Sequence, residues 1–268
     1  MLALGAMMLT ACDKVDEYTV IAGAVGEWSD GTSIANKDQR AFVEKYTGAH
    51  CVFCPDGDKA IEAAHETYGD KMIAVAIDGP GTNGEPFEGE ENTHTEDGDA
   101  WAAYFGVNTM PAVLINRGKE GGKWQLNTTM STIASEVGKV VTESAPIAVA
   151  IESHSTGAKT NIVVSLEFLE DVEEPLTLTV LTMEDSIKAK QLIPGGVDKD
   201  YMHNHVLRDV ITDLWGMEVD AKGTKGECRK VMIAYEMQPN WKLEHCHLVA
   251  FVSKKESREI LNSAACKF

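Results

Sequence analysis

The chain has 268 residues, 44% hydrophobic and 25% charged, which fits one large or two ordinary globular domains and excludes a largely disordered protein. Lys and Arg number 24 against 42 Asp and Glu, a net charge of −18. That balance argues against nucleic-acid binding, which needs cations to displace counterions from phosphates.

Leu2 to Ala11 is an uncharged run too short to span a bilayer, and it fits the apolar part of a secretory signal peptide. It ends in Leu9-Thr10-Ala11-Cys12, which looks like a bacterial lipobox, with Cys12 as the acylated residue that carries palmitate. The expected topology is a chain anchored to a membrane by lipid and not crossing it. No Lys or Arg precedes the apolar run, a departure from the usual signal. The acidic Asp13-Lys14-Val15-Asp16-Glu17 that follows resembles the export tract of surface-displayed outer-membrane lipoproteins, the alternative being the periplasmic face.

Residues 13–36 are polar and read as a tether. Arg40 to Tyr46 reads as a strand. Pro55 to Tyr68 reads as a helix, with Pro55 in its first turn, Asp56 and Asp58 near its positive end and Gly69 as its stop. Met72 to Ile77 is a second, buried-type strand. Gly79 to Asp99 holds seven carboxylates and no Lys or Arg, and reads as a solvated, flexible loop. Its carboxylates lack the regular spacing of a Ca²⁺ loop. A short helix over Ala100–Phe105, a strand over Ala112–Asn116 and a helix capped by Asn127, with Ile133 and Val137 on its apolar face, complete an α/β pattern.

After Glu143 the apolar period falls to two. Ile147–Ile151, Ile162–Phe168, Leu176–Val180, Cys228–Met237, His245–Ser253 and Glu259–Asn262 read as strands of an antiparallel sandwich. The expected organisation is a signal and lipobox at 1–12, a tether at 13–36, an α/β domain at 37–142 and a β-sandwich-like domain at 143–268.

Cys51-Val52-Phe53-Cys54 lies between a predicted strand and a predicted helix. Amides at a helix start stabilise a thiolate, so Cys51 is the candidate nucleophile. Cys54, one turn on, is the candidate resolving thiol. Met110-Pro111 opens the next strand, where thioredoxin-like folds hold a cis-proline beside the disulfide, and this makes Pro111 the third candidate. His50 stands where thioredoxin has Trp, and Val52-Phe53 replaces Gly-Pro. Two readings of the pair stand: a catalytic thiol–disulfide couple, or a structural bridge of an exported protein. A metal reading of the pair lacks ligands, since only His50, His65 and His94 accompany it. Two His-x-His pairs, His203/His205 and His245/His247, could chelate a metal only if their segments meet; the plainer reading is hydrogen-bonded histidines in a sheet, and no cofactor is expected. Cys228, Cys246 and Cys266 can form at most one bridge among themselves, and a direct Cys228–Cys246 bridge is disfavoured by their unequal distances from the turn at Gln238-Pro239-Asn240.

The lipobox, FVEKYTGAHCVFCPDG, MPAVLINRG, LTMEDSIKAKQ, YMHNHVLRDVITDLWG and VAFVSKKESREIL together resemble the 28-kDa outer membrane protein family, over about residues 37–264. The tract Tyr201–Gly216 is the most distinctive, because thioredoxins at large do not share it. The resemblance implies a thioredoxin-like domain carrying Cys51 and Cys54, a β-rich domain after it, and an outer-membrane, surface-exposed lipoprotein for which a receptor or adhesin role has been suggested. Two functions follow from different classes: a membrane-tethered binding or adhesion module, or a cell-envelope thiol–disulfide oxidoreductase. Residues 56–99 carry −11 of the −18, so a protein or extracellular ligand approaching the thiols should be basic or neutral rather than acidic.

Overall fold

A computed structural model describes residues 25–268. The signal, Cys12 and the first part of the tether lie outside the described residues.

The first half follows the sequence pattern closely. Strand β1 (Ala41–Thr47) leads through the Cys51–Cys54 loop into helix α1 (Cys54–Tyr68), and β2 (Met72–Asp78) returns parallel to β1 in full register, Ala41 opposite Met72 and Thr47 opposite Asp78. Helix α2 (Glu96–Phe105) starts four residues earlier than the sequence suggests. Thr95 is extended and its hydroxyl accepts the amide of Gly98, and three carboxylates sit in the first turn, so the acidic end of the loop is helix start rather than loop. Strand β3 (Ala112–Ile115) runs antiparallel to β1, and a bridge from Val113 to Asn127 stands where a fourth strand would pair. Asn127 does not cap helix α3 (Ile133–Val141) directly. Its side chain bonds the amide of Thr129 and the hydroxyl of Thr132, organising the 3₁₀ turn that precedes that helix.

The second half is almost all strand: β4 (Ile147–Thr156), β5 (Lys159–Phe168), β6 (Leu176–Glu184), β7 (Ile187–Ile193), β8 (Gly196–His203), β9 (Val206–Val210), β10 (Cys228–Glu236), β11 (Cys246–Lys254) and β12 (Ile260–Lys267). One mixed sheet runs β12-β11-β6-β9-β2-β1-β3, so it continues across residue 142 without a break. The link is β9, antiparallel to β6 and parallel to β2 through Val206 and Ala76. A second sheet, Ser29–Asp30 with β10, β5 and β4, lays its apolar face on β6, β11 and β12; Ile147, Val164, Leu178, Ile233, Leu248 and Ala250 are among the side chains buried between them. The architecture is therefore mixed α/β with largely antiparallel sheets and few helices.

The acidic loop is not the free segment its composition suggests. Glu90 pairs with Lys190 at 2.6 Å, Glu91 pairs with the buried guanidinium of Arg208, and the Thr93 hydroxyl donates to the buried carboxylate of Asp78. The partners of the two glutamates are cations far away in sequence, which local composition does not reveal.

Candidate functional site

Strand β1 ends beneath the disulfide. Gly48 turns the chain there, and only hydrogen fits its position, because a Cβ would stand 2.0 Å from the carbonyl oxygen of Asn83. The amide of His50 donates to that same carbonyl at 3.1 Å. The His50 ring stacks on Phe87 at 4.0 Å, with Nδ1 2.9 Å from the carbonyl oxygen of Glu85. Cys51 and Cys54 form a disulfide with Cα atoms 5.4 Å apart, at the first turn of α1. The Met110–Pro111 bond is cis, and Pro111 stands against Gly57 one turn further along α1. The three residues expected from the sequence thus lie around one helix start.

The disulfide is roofed. Cys51 is 6% exposed and Cys54 is fully buried, while Phe53 between them is exposed. The cover is the hairpin β7–β8, closed by Pro194-Gly195 and paired from Ile187–His203 to Ile193–Gly196. Its alternate residues Ile187, Ala189 and Gln191 point inward. The Gln191 amide donates to the carbonyls of Gly48 (3.2 Å) and Cys51 (3.0 Å), and the Leu192 amide donates to Ala49 (2.8 Å). On the second strand, the Tyr201 hydroxyl donates to Asp58 at 2.9 Å. The sequence reading missed this hairpin; the alternation of Ile187, Ala189 and Gln191 before Pro-Gly-Gly is the signal that could have found it.

Beside the disulfide lies a polar network. Lys45, almost fully buried, pairs with Asp58, which also receives Tyr201. Burial, with the Asp58 charge beside it, pushes the Tyr201 hydroxyl far up. Burial also raises the Asp78 carboxyl and lowers His203, whose Nε2 is buried without a hydrogen-bond partner. A cavity of about 510 Å³ opens between α1 and the hairpin, lined by Lys45, Asp58, Glu62, His65, Tyr201 and His205 among others.

The base of the hairpin is a second cluster. One histidine from each His-x-His pair meets Asp185: His205 Nδ1 stands 3.3 Å from Oδ1 and His247 Nε2 3.2 Å from Oδ2, while the His205 amide donates to Oδ1 at 2.6 Å. Although burial alone would raise it, the hydrogen bond from His247 and the charge of His205 hold the Asp185 carboxyl below its usual range. Burial lowers His205. The two segments do meet, yet among the described residues no three His, Cys, Asp or Glu side chains are arranged to hold a metal ion.

Cys228, Cys246 and Cys266 are free thiols. Burial pushes Cys246 up to about 12 and Cys266 to about 11, and it raises Cys228 as well, so none resembles an activated nucleophile.

The family of outer membrane proteins described as Omp28 matches residues 98–267. This chain belongs to the Omp28 family. The matched stretch begins after Cys54, so membership rests on the region from α2 to β12 and says nothing of the thiols. Among solved structures, HBP35 of Porphyromonas gingivalis is similar at 16% identity and TM-score 0.63, over 88% of this chain and 77% of that one. A protein of Agrobacterium tumefaciens is similar at 12% identity and TM-score 0.50, over 87% and 95%. A domain of the outer membrane lipoprotein Omp28 from Porphyromonas gingivalis shares 21% identity over 46% of this chain and 88% of that one, at TM-score 0.33. No functionally curated protein matches. The likeness to HBP35 fits a thioredoxin-like part followed by a β part. Family membership makes this an outer membrane protein, and among the described residues no helix is long and apolar enough to cross a membrane.

Proposed function

We propose that this Omp28-family protein is a lipid-anchored binding or adhesion module on the cell surface. Its thioredoxin-like part, to about residue 142, serves as scaffold, and the stacked sheets after it act as a β-sandwich presenting the ligand surface. The observation that carries this reading is the cover over the disulfide: with Cys51 6% exposed and Cys54 at 0%, the pair offers an incoming thiolate little surface while the hairpin is seated. The acylated residue is Cys12, and the −11 of residues 56–99 favours a basic or neutral ligand. The test is Cys54→Ser in living cells. This reading expects no trapped mixed disulfide, and a reduction potential of the wild-type pair below about −300 mV, the range of structural bridges. Cys12→Ser is expected to release the protein from the membrane fraction. Protease added to intact cells is expected to cleave the wild type; full protection would remove surface display.

A second reading, a cell-envelope thiol–disulfide oxidoreductase, is favoured by the disulfide at a helix start beside cis-Pro111. In it the Cys51 thiolate of the reduced pair attacks a substrate disulfide, the substrate S–S bond breaks, and one substrate sulfur leaves as thiolate. The Cys54 thiolate then attacks Cys51 Sγ of the mixed disulfide, the second substrate sulfur leaves as thiolate, and the Cys51–Cys54 disulfide remains; with serine at 54 the mixed disulfide persists. Pro111 contacts the substrate backbone. It requires the hairpin to move first. Partners trapped by Cys54→Ser would favour it over the scaffold reading.

A further inference from the structure

One core of the mixed sheet ends at a rim of partly buried apolar side chains, among them Val107, Leu126, Trp124 and Trp215, with Tyr104 45% exposed beside them. The Tyr104 ring lies 4.5 Å from Trp215 and 5.9 Å from Trp124. Each tryptophan carries a cation over its face: Lys119 Nζ at 3.8 Å from Trp124, and the Arg258 guanidinium at 4.8 Å from Trp215. The nearby carboxylates Glu259 and Glu218 are taken up by Lys254 (2.8 Å) and Lys255, while Asp213 and Glu256, each two residues from the rim's Trp215 and Arg258, are exposed and form no ion pair among the described residues. Among the described residues Lys119, Lys123 and Arg258 form no ion pair, and Glu120 lies between the two lysines. Residues 100–142, which supply most of this rim, carry a net +2 in a chain of −18.

We propose that this rim is a membrane-contact face, resting on the anionic lipid surface that holds the chain's own anchor. Indole and phenol rings with amphipathic edges, flanked by cations on long stems, match the headgroup layer. A saccharide would need open ring faces to stack on, and here Lys119 and Arg258 occupy a face of Trp124 and of Trp215. The entry of the chain agrees. The Trp28 indole donates to the carbonyl of Glu218 at 2.9 Å, three residues past Trp215. From Cys12 to Val25 is at most about 45 Å of extended chain. An acyl group on Cys12 therefore keeps the molecule within about 45 Å of lipid, where a weak surface affinity acts at high effective concentration. The delivery of the face rests on the lipid-anchor reading; its affinity for lipid does not.

The test uses the full chain with Cys12→Ser, so that no acyl group contributes, in cosedimentation with vesicles of phosphatidylcholine alone or mixed with phosphatidylglycerol. Binding is expected to the anionic vesicles only and to weaken with salt. Lys119→Ala and Lys123→Ala should each cost about fivefold, and Glu120→Lys, which changes the charge by two, should gain more than fivefold. Tyr104→Ala should weaken binding at unchanged salt dependence; its exposure makes loss of fold a minor concern, and an unchanged thermal midpoint verifies this. Equal binding to both vesicle types, no binding at low salt, indifference to these substitutions, or retention on immobilised polysaccharide without vesicle binding would each overturn the proposal. The anchor is read separately: wild-type protein that takes up no acyl label in cells defeats the anchor reading and leaves the vesicle result standing.

Discussion

Glu44 and Lys45 are neighbours on β1, and they bury opposite charges on opposite faces of it. Glu44 is fully buried and takes a two-pronged contact from Arg117, with Nη2 at 2.7 Å and Nε at 3.1 Å. The Arg117 guanidinium lies within 5 Å of the rings of Trp101, Phe105 and Phe251. That pair is satisfied and sealed. Lys45 faces the other way, into a shared network with Asp58 and Tyr201 beside a cavity, a buried raised acid in Asp78 and a histidine nitrogen with no partner. A charge closed on all sides fixes the sheet. A charge shared in a partly satisfied network beside a cavity leaves the fold less tightly fixed on that face.

Removing one partner of the sealed pair has the largest expected effect. Arg117→Ala leaves Glu44 charged and alone, and should lower unfolding free energy by about 3–5 kcal/mol in a denaturant titration. Arg117→Lys should recover only part of this, because ammonium lacks the planar fork. If Arg117→Ala unfolds no more easily than wild type, the contrast between the two faces collapses. Removing the disulfide by Cys51→Ser with Cys54→Ser should cost less, about 2 kcal/mol, since the loop it closes is short. Tyr201→Phe takes one hydrogen bond from the open network, about 1 kcal/mol, and should also speed reduction of the disulfide by a small thiol by loosening the roof. Unchanged reduction kinetics would separate the hairpin from the thiols.

The pH response sharpens the comparison further. His203 and His205 have pKa values held below the usual 6.5, so the fold resists their protonation. Their contribution is fully present above 6.5 and is lost as pH falls toward their folded values, because the unfolded chain then binds more protons. The denaturation midpoint should decline from about pH 6.5 downward, and His203→Gln with His205→Gln should flatten that slope. The smallest effect concerns the late thiols: Cys246 and Cys266, with raised pKa values, should alkylate at neutral pH only after unfolding.

Much of both halves was legible where the signals are local. Pro55, Asp56 and Gly69 bracket α1, the alternation after Ile147 announces strands, and Cys-x-x-Cys before a helix with Met-Pro further on pointed to residues that the fold does bring around one helix start. Glu44, Lys45 and Arg117 were not legible as buried charges. Strand periodicity says which residues share a face, but not that both faces of β1 are covered, one by aromatic rings from α2 and β11 and the other by α1.

By itself the sequence determined most element types, the spacing of the two paired cysteines, the acidic tract after them and the family, since each is a matter of residue identity and short spacing. The tertiary structure decided the rest: that one sheet runs through both halves, that Arg208 and Lys190 pin the acidic loop, that the two histidine pairs meet at Asp185, and that the hairpin from Ile187 to His203 lies over the disulfide. Each of these joins groups roughly 40 to 140 positions apart by packing and long-range hydrogen bonds, whose cost in chain entropy is met only by the assembled core.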